Sequence, residues 1–245
     1  MNTLSPRGKI GVLVPARNTT VEPELNDMRP PGVTNHAARM EFKHRPAGYD
    51  PATAKIGSLD FDIAGAINRI MQVAPDIILL GHSHDSFAGG LAGAERFQTD
   101  LSEQAGVPVV VPSLAFTAAL AVLAATDIAI LSPYLSADDA LVRDFFEDAG
   151  CRVHMVVALQ YDTAYAIAAT EPAVIRETFG KLSGERIDAV LQVGTNLPAA
   201  RIAAEAEAEL GKPVLSVNTV GYWHTLRRLG IRDRLSGFGC LFSGH

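Results

Sequence analysis

The sequence predicts an α/β fold with two similar halves, each a parallel sheet flanked by helices. Short apolar runs bounded by turn residues alternate with alanine-rich segments of helical periodicity, which is typical of a parallel sheet covered on both faces. The apolar runs of the first half also recur, in the same order, in the second half. A chain of 245 residues is long enough to bury a substantial core.

The predicted strands are the apolar runs, which lie at residues 9–14, 76–80, 107–111, 127–131, 152–157, 188–193 and 213–217. A further strand is expected around residues 38–42, inside an irregular stretch at 29–50 that is rich in Pro, Gly and His. The predicted helices lie at residues 61–73, 91–105, 137–149, 172–182 and 198–210. Capping-box patterns at 19–22 and 136–139 place two helix starts, after the first and fourth strands.

The repeat predicts how the chain is divided. Residues 10–15 correspond to 128–133, residues 76–83 to 188–195, and residues 106–109 to 211–214. Two related halves of about 110 residues explain this order, and the general likeness of α/β strands is the alternative explanation. We expect an N-terminal lobe at 1–115, a C-terminal lobe at 116–225, and a segment at 226–245 that returns to the first lobe.

The composition limits which classes of ligand and which cellular compartment are expected. The net charge is −6 and no run of lysines or arginines occurs, so neither a nucleic acid nor a membrane is expected as a partner. No apolar stretch reaches the roughly 20 residues of a membrane span, and the start of the chain lacks a signal-type core, which predicts a cytoplasmic protein. Cys151 and Cys240 have no disulfide or zinc spacing and are interpreted as ordinary buried residues.

Polar residues follow the predicted strands and mark a candidate site. Ligands of open α/β sheets bind at the carboxyl ends of strands, so the cleft between the two halves is the expected location. The residues just past the strands are Asn18, Thr19, His82, Ser83, Tyr134, Gly194, Thr195 and Asn196.

Several of these residues lie in segments that resemble a known family. Residues 14–24 (VPARNTTVEPE), 132–134 (SPY), 195–197 (TNL) and 211–218 (GKPVLSVN), with Trp223-His224, resemble the maleate cis–trans isomerase and arylmalonate decarboxylase branch of the aspartate/glutamate racemase superfamily. The resemblance implies two pseudo-symmetric α/β lobes with the active site between them. It also implies a homo-oligomeric enzyme that uses no cofactor and no metal and binds a small carboxylate through hydroxyl, amide and backbone N–H donors.

The sequence departs from the family at the reacting positions. Racemases and isomerases of the superfamily place two cysteines across the substrate, and the decarboxylase keeps the second. The matching positions here are His82 and Gly194. This difference disfavours two-base racemisation and also thiolate addition, which requires a soft nucleophile.

The remaining groups suit proton transfer from one side of the cleft. Because an imidazole titrates near neutral pH, His82 is predicted to be catalytic, in a decarboxylase-like lyase reaction through an enolate. Tyr134 is predicted to assist as a donor to the substrate, with simple packing as the alternative. His84 and Asp85 are predicted either to orient His82 or to form a surface turn. The predicted substrate-binding residues are Asn18, Arg17, Ser83, Gly194, Thr195 and Asn196.

Other interpretations of the same residues remain open. Thr195 and Asn196 could cap the helix expected at Pro198, Arg17 could point to solvent, and His224 is interpreted as a packing residue. Three alternative functions are a cis–trans or double-bond isomerase of a small unsaturated dicarboxylate, a metal-dependent hydrolase using His82, His84 and Asp85, and a non-catalytic carboxylate-binding protein.

Overall fold

The computed structural model describes residues 3–44, 48–55 and 61–245, and the strands of this part of the chain form two parallel sheets. The first has the order β2-β1-β3-β4 and the second the order β6-β5-β7-β8. The strands are β1 (Gly8–Pro15), β2 (Val33–Met40), β3 (Ile77–Leu80), β4 (Val109–Val110), β5 (Asp127–Ser132), β6 (Arg152–Ala158), β7 (Ala189–Gln192) and β8 (Val214–Ser216). The predicted α/β fold with two similar lobes is therefore confirmed.

Helices cover both sheets. They are α1 (Val21–Asp27), α2 (Ile63–Ile70), α3 (Gly90–Ala105), α4 (Pro112–Leu123), α5 (Asp139–Asp148), α6 (Ala164–Ala168), α7 (Pro172–Leu182), α8 (Ala200–Leu210), α9 (Val217–Arg228) and α10 (Cys240–Gly244). Gly106 and Gly211 follow α3 and α8 in the same left-handed conformation, with φ of +70° and +64°. Because the sequence repeat pairs these two glycines, the helices end alike in the two lobes.

The first sheet differs from the sequence prediction at its edge. The strand expected around residues 38–42 begins at Val33 and ends at Met40, and it pairs with β1 from Gly8↔Val33 to Pro15↔Met40. Its early residues Thr34, Asn35 and His36 are only half buried, as suits an edge strand, so they lack the apolar run that marks a central one. Residues 45–47 of the expected irregular stretch lie outside the described ranges.

One apolar cluster joins the two lobes. It contains Ile10 and Leu79 of the first sheet together with Ile130 and Val190 of the second. Helix α9 follows the last strand of the second sheet, yet it packs against α1 and β3 of the first lobe and against α4, which crosses the predicted boundary at residue 115. The lobes are therefore held by shared packing, which fixes the strand ends of one relative to those of the other.

The last residues of the chain contact both lobes. Arg7, before β1, forms an ion pair with Asp233, and Arg201 of α8 lies over the ring of Phe238 at 4.7 Å. The boundaries at residues 115 and 225 and the assignment of 226–245 to the first lobe remain predictions. Within the described ranges, no helix combines the length and the apolar character that crossing a bilayer requires.

Candidate functional site

A cavity of about 330 Å³ lies at the carboxyl ends of β1, β3, β5 and β7 and is lined by residues from both lobes. This is where parallel strands of open α/β sheets present their ligand-binding residues. The sequence-predicted residues that line it are Arg17, Asn18, His82, His84, Asp85, Tyr134, Gly194, Thr195 and Asn196. Ser83 is fully buried beneath this surface and contacts two of the lining residues.

His82 is placed by the end of β3. The N–H of Gly81 donates to the carbonyl of Leu13 at 2.7 Å, which continues the pairing with β1 up to the residue before the histidine. The imidazole packs edge-on against Phe61, with 5.1 Å between ring centroids. Its Nε2 is buried 3.3 Å from Asp85 Oδ2, at an angle that makes no hydrogen bond among the described groups. His82 is thus a cavity-lining imidazole whose Nε2 lies within ion-pair distance of the Asp85 carboxylate.

His84 and Asp85 continue a polar chain along one wall. His84 Nδ1 lies 3.3 Å from Asp85 Oδ1, and its Nε2 lies 3.3 Å from Oδ1 of Asp138 in the other lobe. The hydrogen bond to Asp85 raises the pKa of His84 against the opposing effect of burial, and Asp138 adds to the increase. Burial alone would raise the pKa of Asp85, but His82 and His84 together hold it well below its usual value. Asp85 is therefore ionised beside two imidazoles.

Ser83 links the two lobes below the cavity. Its Oγ lies 3.1 Å from the Tyr134 hydroxyl and accepts the N–H of Gly194 at 3.2 Å. Burial raises the pKa of Tyr134 far above its usual value of 10, so the phenol stays protonated. Tyr134 is consequently a neutral hydrogen-bond donor on the wall of the cavity.

Gly194 has no room for a side chain. Its φ is +90°, a conformation that L residues rarely adopt. A Cβ at this position would lie 2.3 Å from Cγ of Pro133 and 2.7 Å from its Cδ. A cysteine here would therefore require both a change of backbone conformation and a displacement of Pro133.

Asn18 has a structural task at the start of α1. Its Oδ1 accepts the N–H groups of Thr20 and Val21, each at 2.9 Å. The capping box predicted at residues 19–22 is wrong in this respect, because the hydroxyl of the N-cap residue Thr20 makes no capping bond and donates instead to the Asn196 carbonyl. Asn18 Nδ2 donates to Thr195 Oγ1 at 3.1 Å, so a role toward substrate stays a prediction.

The side chains of Thr195 and Asn196 also connect the lobes. Thr195 Oγ1 donates to the carbonyl of Gly81 at 2.9 Å, and Asn196 Oδ1 accepts the N–H of Thr19 at 2.9 Å. Asn196 Nδ2 donates to the Ala164 carbonyl at 2.7 Å. Neither residue caps α8, whose N-cap is Ala199, so the alternative capping interpretation is wrong.

Arg17 points into the protein. Only 9% of the residue is exposed, and its guanidinium donates to the carbonyls of Ala54 and Lys55. Its Cζ lies 5.3 Å from the ring centroid of Phe42. The interpretation that Arg17 points to solvent is therefore wrong, and the guanidinium forms part of the cavity wall.

Sequence reasoning missed the apolar wall and one acid. Phe42 and Phe61 stack with centroids 5.2 Å apart beside His82, and Ile167 and Leu135 line the opposite side. Asp138 lies in a segment that the sequence suggested only as a helix start. Phe42 and Leu135 lie at or next to predicted strand ends but are apolar, and mainly polar residues were selected there from the sequence. Phe61, Ile167 and Asp138 follow no predicted strand.

Two further groups of residues bear on the chemistry. No set of three His, Cys, Asp or Glu side chains within the described ranges is arranged to hold a metal ion. Cys151 and Cys240 are half buried and are not among the residues that line the cavity. Burial raises the pKa of both thiols, to about 12 for Cys240, so neither is poised as a thiolate.

The chain is similar to known proteins along nearly its whole length. A family model described as arylmalonate decarboxylase matches residues 10–242. The maleate isomerase of Pseudomonas putida is 27% identical over 253 aligned residues, which cover 96% of this chain and 97% of that protein.

Solved structures share the fold. The Nocardia farcinica maleate cis-trans isomerase mutant with a covalently bound succinylcysteine intermediate has a TM-score of 0.86 at 23% identity, covering 97% of this chain and 98% of that one. A crystal structure of arylmalonate decarboxylase has a TM-score of 0.75 at 20% identity, covering 96% and 98%.

Proposed function

Because the chain belongs to the arylmalonate decarboxylase family, within the aspartate/glutamate racemase superfamily, we propose that it is an enzyme that acts on a small carboxylic acid by proton transfer at one face, through His82. The observation that carries this proposal is the asymmetry of the cavity. An imidazole lines the first lobe's side, and the equivalent position of the second lobe is a glycine without space for a side chain.

The proposed reaction is decarboxylation of an activated acid. Cleavage of the carbon–carbon bond releases CO₂ and leaves its electron pair on an enediolate. The Tyr134 hydroxyl and neighbouring N–H groups are the donors that would stabilise the developing negative charge. Protonated His82 then transfers its proton to the carbon, and water restores the proton to the imidazole. Asp85, whose Oδ2 lies 3.3 Å from His82 Nε2, would orient the imidazole.

The apolar part of the cavity wall favours a substrate acid that carries an apolar substituent. Phe42, Phe61 and Ile167 offer a surface on which a hydrocarbon group would lose contact with water. Asn18, Thr195 and Arg17 are polar residues of the same lining, and we propose that they bind the carboxylate. The polar side chains of all these binding candidates already make hydrogen bonds within the protein, so a bound carboxylate would have to share or replace some of those contacts.

Isomerisation is the second candidate because the maleate isomerase of Pseudomonas putida aligns with nearly the whole chain. The same imidazole could move a proton during migration of a double bond in a small unsaturated dicarboxylate. A covalent thiol adduct has no support in this cavity, since Cys151 and Cys240 are not among its lining residues. The two candidates therefore share His82 and differ in the bond that breaks.

A substrate panel in heavy water tests the proposal. The unmodified protein is incubated with malonates, maleate, maleamate and related unsaturated acids, and the products are analysed by NMR for deuterium. We expect loss of CO₂ from an activated acid, with one deuteron on one face of the product carbon. Deuterium of both configurations at a single carbon would contradict one-sided transfer, and binding without any turnover would favour a carboxylate-binding protein.

A further inference from the structure

A set of contacts outside the cavity joins α1 to the starts of α8 and α9. The Glu24 carboxylate accepts the N–H of Ala200 through Oε1 at 2.9 Å and the amide of Asn218 through Oε2 at 2.7 Å. Asn218 Nδ2 also donates to the carbonyl of Thr195 at 2.9 Å. A continuous path therefore runs from a carboxylate of the first lobe to the backbone of a cavity-lining residue in the second.

The direction of these hydrogen bonds suits the ionised form of Glu24. The amide of Asn218 has two hydrogens, and both are used, one by Glu24 and one by Thr195. The remaining hydrogen bonds to the carboxylate come from the backbone N–H groups of Ala200 and Ala199, which are also donors. A protonated or amidated Glu24 would place its own donor against one of these groups, and turning the Asn218 amide would set its oxygen against the Thr195 carbonyl.

We propose that Glu24 is a positioning residue that acts through Asn218 to fix the Thr195–Asn196 segment against the first lobe. The segment carries the side chains that meet Asn18 and Thr19, so a shift of its backbone would alter the polar side of the cavity. This inference rests on the proposed function only in taking that cavity as the active site.

The ionisation of Glu24 depends on pH, through its burial and the groups around it. Burial raises the pKa of Glu24 to about 7, its hydrogen bonds lower it, and Asp27 on the same helix adds a small increase. Asp27 is paired with Arg201 of α8, at 2.6 Å and 2.8 Å. The other groups that face Glu24 from α8, its N-cap and α9 are neutral: the N–H groups of Ala199 and Ala200 and the amide of Asn218. The connection to Thr195 is therefore complete above neutral pH and weakened below it.

The sequence motifs are consistent with this assignment. Glu24 ends the segment 14–24 and Asn218 ends the segment 211–218, the two longest segments of the family resemblance. Their contact connects two segments that are distant in the sequence. Reasoning from strand ends did not predict this contact.

The test follows the backbone amides of Thr195 and Asn196 in the ligand-free, full-length protein. Their ¹⁵N and ¹H shifts are recorded by NMR between pH 5.5 and 8.5. We expect a titration with a midpoint near 7 in the unmodified protein that is absent in Glu24→Gln. Glu205→Gln, a change of an exposed glutamate paired with Arg176, is the matched control and should keep the titration.

Asn218→Ala provides a second test, since it cuts the path while retaining the Glu24 carboxylate. The amides of Thr195 and Asn196 should again lose the titration. The proposal is overturned if they do not titrate in the unmodified protein, or if they titrate unchanged in either variant. No substrate is used, so failure of the proposed reaction leaves this result intact.

A kinetic readout separates positioning from general stability. With an acid turned over in the panel, Glu24→Gln at pH 8 should raise KM about tenfold with a smaller change in kcat, because it misplaces binding groups. Glu205→Gln should leave both constants unchanged. An unchanged KM in Glu24→Gln would contradict a positioning role for this residue.

Discussion

His82 and Gly194 occupy equivalent places after β3 and β7, and their surroundings explain why the cavity is one-sided. The histidine has space beside Phe61 and a carboxylate neighbour in Asp85. The glycine has positive φ and lies against Pro133. A second acid or base at residue 194 would therefore be opposed by backbone strain and by overlap with a rigid ring.

Replacement of this glycine tests the steric argument. Gly194→Ala should lower the free energy of unfolding by about 3 kcal/mol, because strain and overlap add. Gly211→Ala is the control, since φ there is +64° but no atom lies within 4 Å of the added Cβ, and it should cost about 1 kcal/mol. Urea unfolding gives both values, and equal losses would contradict the overlap with Pro133.

At the scale of elements, the start of α1 shows what sequence reasoning found and what it missed. The helix begins after β1 as predicted, yet Asn18 provides the cap that was assigned to residues 19–22. Asn18 and the predicted capping box lie within one or two residues of each other, and Asn and Thr are both favoured at helix starts. The local sequence pattern therefore does not decide which side chain caps α1. Tertiary contact decides, since Thr20 Oγ1 instead donates to the Asn196 carbonyl of the other lobe.

Two single substitutions distinguish these caps. Asn18→Ala should destabilise the protein by about 1–2 kcal/mol, because two N–H groups at the start of α1 lose their acceptor. Thr19→Ala should change stability by less than about 0.5 kcal/mol, since that side chain is exposed. Thermal or urea unfolding measures both. A larger loss of stability in Thr19→Ala than in Asn18→Ala would support the predicted capping box instead.

At the scale of the whole molecule, the sequence repeat predicts two similar lobes, because equivalent apolar runs occur in the same order along the two halves of the chain. Parallel strands bring their carboxyl ends to one edge, which is why His82, Tyr134 and Thr195 could be placed together from sequence. Phe42 was passed over because it is an apolar residue at a strand end, and Asp138 could not be placed, since it reaches the cavity from a connecting segment whose path depends on tertiary packing. The contact of Glu24 with Asn218 was hidden for the same reason.

The raised pKa of Glu24, which forms hydrogen bonds between the lobes, predicts that the stability of the protein depends on pH. The pKa of Glu24 is raised to about 7, so its contribution to stability is present below the unfolded pKa and lost as pH rises through 7. We expect the unmodified protein to lose about 2–3 kcal/mol from this group between pH 4.5 and 8, after allowance for partial exposure.

The comparison with Glu24→Gln isolates this effect, because the variant has no charge to bury and every other titrating group is retained. Urea unfolding at pH 5 and pH 8 provides the four free energies needed. The difference between the proteins should shift by about 2–3 kcal/mol in favour of the variant at the higher pH. A constant difference would contradict the raised pKa.

Removal of the cavity imidazole tests the central claim most directly. The rate of turnover by His82→Asn is measured on an acid accepted by the unmodified protein, with binding followed by calorimetry and His36→Asn, on the edge strand β2, as control. We predict a loss in kcat of about 100- to 10,000-fold with affinity nearly unchanged, and no loss in the control. A kcat in His82→Asn equal to that of the unmodified protein would contradict proton transfer by this residue.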